Sequence, residues 1–234
     1  MVRIFCDFDG TITPADVGNR LFRTYAPGRA EEIVEDYRTG KINARECLQR
    51  ECEAAGSLTR EMVESFAEQW PVDPFVHDFF AFCRARNMPV TVLSDGLDCY
   101  VSHILRREGL DEIPAFANKA VFHPEGGVTP EFPYRDEHCD QCGNCKRNHL
   151  VTMSADDDVV VYIGDGLSDR CPVRYADVVF AKGSLIAHCQ AENISYFEFR
   201  TFADIRQRME RLLGKRIKQR REAVVARRDV FIAE

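Results

Sequence analysis

Three short apolar runs punctuate the chain. Val2-Arg3-Ile4-Phe5-Cys6-Asp7-Phe8, Val90-Thr91-Val92-Leu93-Ser94 and Val159-Val160-Val161-Tyr162-Ile163 are rich in β-branched and aromatic residues, and each runs directly into Gly-containing or Asp/Ser-rich sequence. Runs of this length and composition predict buried strands that end in turns. Between them the apolar period becomes helical. Phe75, Phe79, Phe82 and Cys83 recur at i, i+4, i+7 and i+8, and Leu97–Glu108 continues from the second strand. Strand–helix alternation predicts an α/β fold, a Rossmann-like parallel sheet with helices on both faces.

Residues 15–70 break the alternation. Helix-like segments at Ala15–Tyr25, Arg29–Arg38, Ala44–Ala55 and Thr59–Trp70 are separated by Pro27-Gly28, Thr39-Gly40 and Gly56-Ser57, with no strand pattern among them. The expected organisation is a discontinuous core, 1–14 and 86–234, with a helical insert over 15–85 after the first strand. Further on, Ala117–Phe122 and Val128–Phe132 flank Pro124-Glu125-Gly126-Gly127 and predict a hairpin, and Val178–Phe180 predicts another strand.

With 234 residues, 45% of them hydrophobic, the chain can bury a core without disulfide staples. No apolar run approaches the roughly 18 residues of a membrane span. The amino terminus reaches Asp7 before the apolar region of a signal peptide could form. The expected compartment is therefore the cytoplasm, where ten cysteines are mostly reduced thiols. The 31 Lys+Arg against 38 Asp+Glu give a net −7, but 200–228 carries 11 basic and 3 acidic residues, a local +8 that leaves −15 on the rest. A solvated amphipathic helix or tail is the expected reading. The segment lacks the aromatic interleaving that would favour a nucleic-acid partner.

The chemistry concentrates where the strands end. Alternation along the first strand sends Asp7 and Asp9 to one side and Phe8 into the core, and Gly10 lets the chain turn sharply. The third strand ends Gly164-Asp165-Gly166-Leu167-Ser168-Asp169, adding acids at the mouth where open α/β sheets place ligands. An oxygen-rich donor set with little His selects a hard cation such as Mg²⁺. The second strand ends Ser94-Asp95-Gly96, a hydroxyl and turn N–H groups ahead of a helix, suited to phosphate. Unit charges about 4 Å apart repel by about 4 kcal/mol at an effective dielectric of 20, so phosphate can approach these acids only with cations between. Lys146 is the best-placed lysine, with Lys119 and Lys182 as competitors.

Asp7-Phe8-Asp9-Gly10-Thr11, Ser94, Lys146 and Gly164–Asp169, in this order and spacing, resemble the four motifs of the haloacid dehalogenase superfamily, with a cap between the first two as in its phosphoserine-phosphatase branch. Cys142-Gly143-Asn144-Cys145-Lys146 and the Asp98 that follows Ser94-Asp95-Gly96 are most similar to the methionine-salvage enol-phosphate phosphatases of that branch. Asp95 and Arg147 depart from the patterns, which carry Gly and Pro there. The resemblance implies a phosphatase of a small phosphate ester, with phosphoserine, phosphocholine and phosphoethanolamine as the alternative substrates. It implies Asp7 as nucleophile, Asp9 as acid and base, and Mg²⁺ held by Asp7, Asp9 and Asp165. Thr11, Ser94, Asp95, Gly96 and Lys146 would bind substrate, with Asp169 orienting the metal surroundings or Lys146. A catalytically silent metal- or nucleic-acid-binding module is the rival from another class.

The Cys139-x2-Cys142-x2-Cys145 spacing suits structural zinc, with His138, His123 or Cys171 as a fourth ligand. Packed thiols, a local disulfide or a redox sensor are the alternatives. The six histidines show no catalytic pattern.

Overall fold

The structure, a computed structural model, describes residues 1–232. In chain order the elements are β1 (Val2–Asp7), α1 (Val17–Tyr25), α2 (Arg29–Arg38), α3 (Ala44–Ala54), α4 (Arg60–Ala67), α5 (Val76–Ala85), β2 (Val90–Leu97) and α6 (Asp98–Arg107). There follow β3 (Ala115–Phe122), β4 (Val128–Glu131), α7 (Lys146–Thr152), β5 (Val159–Gly164), β6 (Val178–Ala181), α8 (Gly183–Ala191), β7 (Phe197–Glu198), α9 (Phe202–Leu213) and α10 (Arg221–Ile232). Single 3₁₀ turns occupy Leu167–Asp169 and Pro172–Tyr175. The seven strands form one sheet in the order β4-β3-β2-β1-β5-β6-β7.

The described chain divides into two compact units. The first comprises Met1–Ile12, Val72–Val92 and the chain from Lys146, and the second comprises Thr13–Pro71 and Leu93–Cys145. Strand β2 begins in the first and ends in the second. In the first unit β1, β5, β6 and β7 pair in parallel, with Cys6 opposite Ile163 and Gly164 opposite Ala181. Ile4, Phe5, Val160, Val161 and Ile163 are buried, as a strand covered on both faces requires. The parallel register decides the chemistry to come, because it sets the carboxyl end of β1 beside that of β5.

Helices α5 and α9 pack together through an aromatic cluster, Phe79–Phe202 at 5.4 Å and Phe80–Phe202 at 6.0 Å between ring centres. Asp73 fastens that contact by accepting the N–H groups of Phe75 (2.9 Å) and Phe202 (3.4 Å), while its own N–H donates to Ile12 O. The basic 200–228 segment is thus not a solvated tail. Phe202, Ile205 and Met209 are buried on one face of α9, and Arg227 of α10 is buried against Asp177 at 3.2 Å. Its charge lies on the outer faces while an apolar stripe with helical spacing anchors it.

In the second unit local caps set the helix starts. Asp16 Oδ1 accepts the Asn19 N–H at 2.7 Å, so α1 begins at Val17 rather than at Ala15. Asn43 and Glu46 form a reciprocal capping box on α3. Strands β3 and β4 make the expected antiparallel hairpin, with Lys119 opposite Glu131. No helix among the described residues is long and apolar enough to cross a membrane.

Glu51 of α3 is buried, and desolvation followed by the Asp16 charge pushes its carboxyl up to about 8 from an ordinary 4.5. A raised folded pKa means that the folded state holds the proton more tightly. Stability therefore falls as pH rises from about 4.5 to about 8, by about 1.4 kcal/mol per unit of pKa separation. Glu51→Gln, neutral at every pH, is expected to leave Tm nearly unchanged at pH 5 and to raise it by roughly 5–10 °C at pH 8. Thermal unfolding across that range checks this; a gain that does not grow with pH contradicts it.

Candidate active site

The first unit gathers the acids. Asp7 closes β1, 4% exposed, with Phe8 fully buried on the other side of the strand as the alternation requires. Asp9 follows, half-buried, in a turn closed by Thr11 N–H and Ile12 N–H donating to Phe8 O. Gly10 sits at φ +77°, and a Cβ there would stand 2.5 Å from Asp165 Oδ2. Only glycine lets this turn approach the acid at the end of β5 so closely. Thr11 Oγ1 donates to Asp165 Oδ1 at 3.3 Å.

Lys146 opens α7 and is 2% exposed. Its Nζ donates to Asp7 Oδ1 at 2.5 Å, Asp169 Oδ1 at 2.7 Å and Ser168 Oγ at 2.9 Å. The competing lysines have other partners. Lys119 is exposed and paired with Glu131 at 3.2 Å, and Lys182 donates to Thr11 O at 3.4 Å while lying 5.0 Å over the Phe199 ring. Burial by itself would lower the Lys146 pKa, but the charges of Asp169 and Asp7 outweigh it and hold the ammonium well above its ordinary value. Burial, then the Asp169 charge, pushes the Asp7 carboxyl up against the pull of Lys146.

Oxygens of Asp7, Asp165 and Asp169 come within 4.8 Å of one another, the one such group of acids, histidines and cysteines among the described residues. Three carboxylates face one ammonium. An all-oxygen, anionic cradle pressed close by Gly10 fits a hard divalent cation such as Mg²⁺. Asp169 is the least available of the three. Its Oδ2 accepts the N–H groups of Asp165 (2.9 Å) and Gly166 (3.0 Å), and its Oδ1 accepts Lys146 Nζ and Tyr162 Oη, the latter at 2.6 Å. That leaves Asp7 and Asp165 as the carboxylates able to turn toward a cation.

The second unit holds the remaining predicted residues. Ser94 is buried, and its Oγ accepts the Gly96 N–H at 3.0 Å. Asp95 turns inward, Oδ1 accepting the Asn144 N–H at 2.9 Å, while Asn118 Nδ2 donates to Asp95 O at 2.7 Å. Asn144 completes the clamp, its Nδ2 donating to Ser94 O (2.9 Å) and Phe116 O (2.8 Å). This gives Cys142-Gly143-Asn144-Cys145 a definite task without metal. Cys139, Cys142 and Cys145 are not joined in disulfides. The hydrogen bonds of Asp95 and Asn144 hold this loop to the Ser94 turn. His149 is a packed neutral residue, its imidazole pushed down to about 4 by burial.

Three residues escaped the sequence reading as individuals: Tyr162, Ser168 and Asn144. Tyr162 had a signal, being the only polar-tipped side chain in the run Val159–Gly164, two residues before Gly164-Asp165.

A Rossmann-like sheet whose β1 and β5 ends join two aspartates, a buried lysine and a further aspartate is the architecture of a phosphoryl-group hydrolase core. The chain belongs to the haloacid dehalogenase-like hydrolase family, whose profile matches residues 4–172. It is 29% identical over 215 residues, 91% of this chain and 97% of the relative, to a 2-hydroxy-3-keto-5-methylthiopentenyl-1-phosphate phosphatase of Bacillus cereus. It is 30% identical over 215 residues, again 91% and 97%, to the protein of that name from Bacillus mycoides. Among solved structures, a phospho-aspartyl intermediate analogue of phosphoserine phosphatase shares the fold, with TM-score 0.67 and 20% identity over 88% of this chain and 98% of that one.

Proposed function

We propose that the protein is a Mg²⁺-dependent phosphatase that hydrolyses a small phosphomonoester through an aspartyl-phosphate intermediate, and that this ester is 2-hydroxy-3-keto-5-methylthiopentenyl-1-phosphate. The observation that carries the reading is the buried contact of Lys146 Nζ with both Asp7 and Asp169, beside Asp165. Identity to the phosphatases of that name across nine-tenths of the chain supports the choice of ester.

Asp7 attacks phosphorus with a carboxylate oxygen. A P–O bond forms to Asp7 as the ester P–O bond breaks, and the leaving oxygen takes that electron pair together with a proton from Asp9. Asp9 then takes a proton from water as the water oxygen attacks the same phosphorus, and Asp7 is released as carboxylate with inorganic phosphate. Lys146 and the Ser94 hydroxyl hold phosphoryl oxygens, Gly96 N–H steadies that hydroxyl, and Thr11 steadies Asp165. Asp95 keeps that turn and the Asn144 loop in shape rather than touching phosphate. Asp7, Asp165 and the Asp9 backbone carbonyl would hold Mg²⁺, which neutralises charge developing on the phosphoryl group. Of the 15–85 insert, helices α1 to α4 would act as the cap that supplies substrate contacts, since α5 packs on α9 in the first unit.

Phosphate release with and without Mg²⁺ tests this across the methionine-salvage enol phosphate, phosphoserine, phosphocholine, phosphoethanolamine and sugar phosphates. The enol phosphate is expected to dominate in kcat/KM and to need the metal. Dominance of phosphoserine or an amine phosphate replaces the substrate and keeps the mechanism. No release from any ester, with steeply salt-dependent nucleic-acid binding, replaces both.

A further inference from the structure

Tyr162 lies in the middle of β5, the strand that delivers Asp165, and is fully buried. Its hydroxyl donates to Asp169 Oδ1 at 2.6 Å, the same oxygen that takes Lys146 Nζ at 2.7 Å. A carboxylate offers about four acceptor positions. Tyr162, Lys146 and the N–H groups of Asp165 and Gly166 fill all four on Asp169. Lys146 in turn spends its three N–H bonds on Asp7, Asp169 and Ser168.

We propose that Tyr162 is a positioning residue for the phosphoryl-transfer reaction. By filling the second position on Asp169 Oδ1, it pins that carboxylate and shares its charge, so that Lys146 stays beside Asp7 and can turn the N–H it gives Ser168 to a phosphoryl oxygen. This rests on the reading of Asp7 as nucleophile and Lys146 as phosphate ligand.

Packing leaves no substitute for the hydroxyl. A Cβ at Gly164 would stand 2.5 Å from Asp169 Oδ2 and 3.0 Å from Tyr162 Cε1, so ring, carboxylate and backbone are already in close contact. Asp169, like Tyr162, is wholly inaccessible to solvent. Without the hydroxyl, Oδ1 has Lys146 as its one donor, and the unshared charge grips the ammonium harder in a buried setting. A lysine held more tightly by Asp169 is a poorer ligand for phosphate. The phenol also keeps Asp169 anchored when Lys146 moves toward substrate.

The test is Tyr162→Phe, which keeps the ring and removes only the oxygen. Wild type and variant are compared for kcat and KM on the best ester of the panel, for binding of fluoroberyllate with Mg²⁺ by calorimetry, and for Tm. The expected result is a kcat lower by about 10- to 100-fold with KM within about threefold, and fluoroberyllate bound roughly tenfold more weakly, as loss of one hydrogen bond to a charged group predicts. Incorporating 3-fluorotyrosine at position 162, which keeps the hydroxyl, should hold kcat within about threefold of wild type and provides the comparison should the Phe variant fold poorly. A Phe variant with wild-type kcat and fluoroberyllate affinity, altered only in Tm, overturns the proposal, as does a fluorotyrosine protein as impaired as the Phe variant. A wild type that releases no phosphate from any ester overturns instead the phosphatase reading on which the role rests.

Discussion

Asp7→Asn is expected to abolish Mg²⁺-dependent phosphate release, by on the order of 10⁴-fold or more, while leaving the metal-free protein as stable as wild type or slightly more so. The two halves have separate causes. The amide has the carboxylate's shape but is a very poor nucleophile toward phosphorus, and Asp169 cannot take its place because four donors pin it. Stability behaves differently because the buried cluster carries two carboxylates, Asp7 and Asp169, against the single ammonium of Lys146. Removing one negative charge relieves their repulsion and leaves the Lys146–Asp169 pair intact. Phosphate assay and thermal unfolding on one preparation check both halves. Substantial residual turnover removes Asp7 as nucleophile, and a large fall in Tm removes the electrostatic account.

Lys146→Met is expected to do the reverse to stability and the same to activity. It strands two carboxylates, 4% and 0% exposed, with no cation between them. Breaking a buried pair from the cationic side costs about 3–5 kcal/mol, which for a chain of this size is a fall of roughly 10 °C in Tm. Turnover should fall by about 10³-fold or more, because a phosphoryl ligand is lost along with the arrangement that presents Asp7. The sign of the pH dependence follows from the charges. With Lys146 gone, the pull that opposes burial at Asp7 is lost and its carboxyl rises further, so the folded state takes up a proton more readily and the stability deficit shrinks as pH falls. Mg²⁺ should likewise return part of the lost Tm, since a cation between Asp7 and Asp165 opposes the same repulsion. Unfolding curves at pH 5 and pH 8, each with and without Mg²⁺, measure this; a deficit independent of pH contradicts it.

These expectations differ because neighbours, not residue type, set what each buried charge does. The sequence pattern marks Asp7, Asp9, Lys146, Asp165 and Asp169 as chemistry, yet it cannot say that Asp169 takes four donors. Two of them come from the 3₁₀ turn at Leu167–Asp169, which folds the carboxylate back on the N–H groups of Asp165 and Gly166. The same holds for the cysteines. Spacing marks a possible metal knot, but it does not reveal that Asn144 and Asp95 tie this loop to the Ser94 turn.

What the sequence by itself determined is local: β-branched runs that become β1, β2 and β5, the Gly10 turn, and acids placed where strands end. Each depends on neighbours a few residues apart, where steric preference and side-chain period act directly. Only the tertiary structure decided among Lys119, Lys146 and Lys182, because the choice depends on a contact with Asp7 that spans 139 residues. It alone placed Tyr162 against Asp169 and sank the apolar stripe of α9 and Arg227 of α10 into the first unit. The physical reason is common to all three. Parallel register and helix packing bring together groups whose partners no local pattern encodes, and burial then magnifies every charge that meets there.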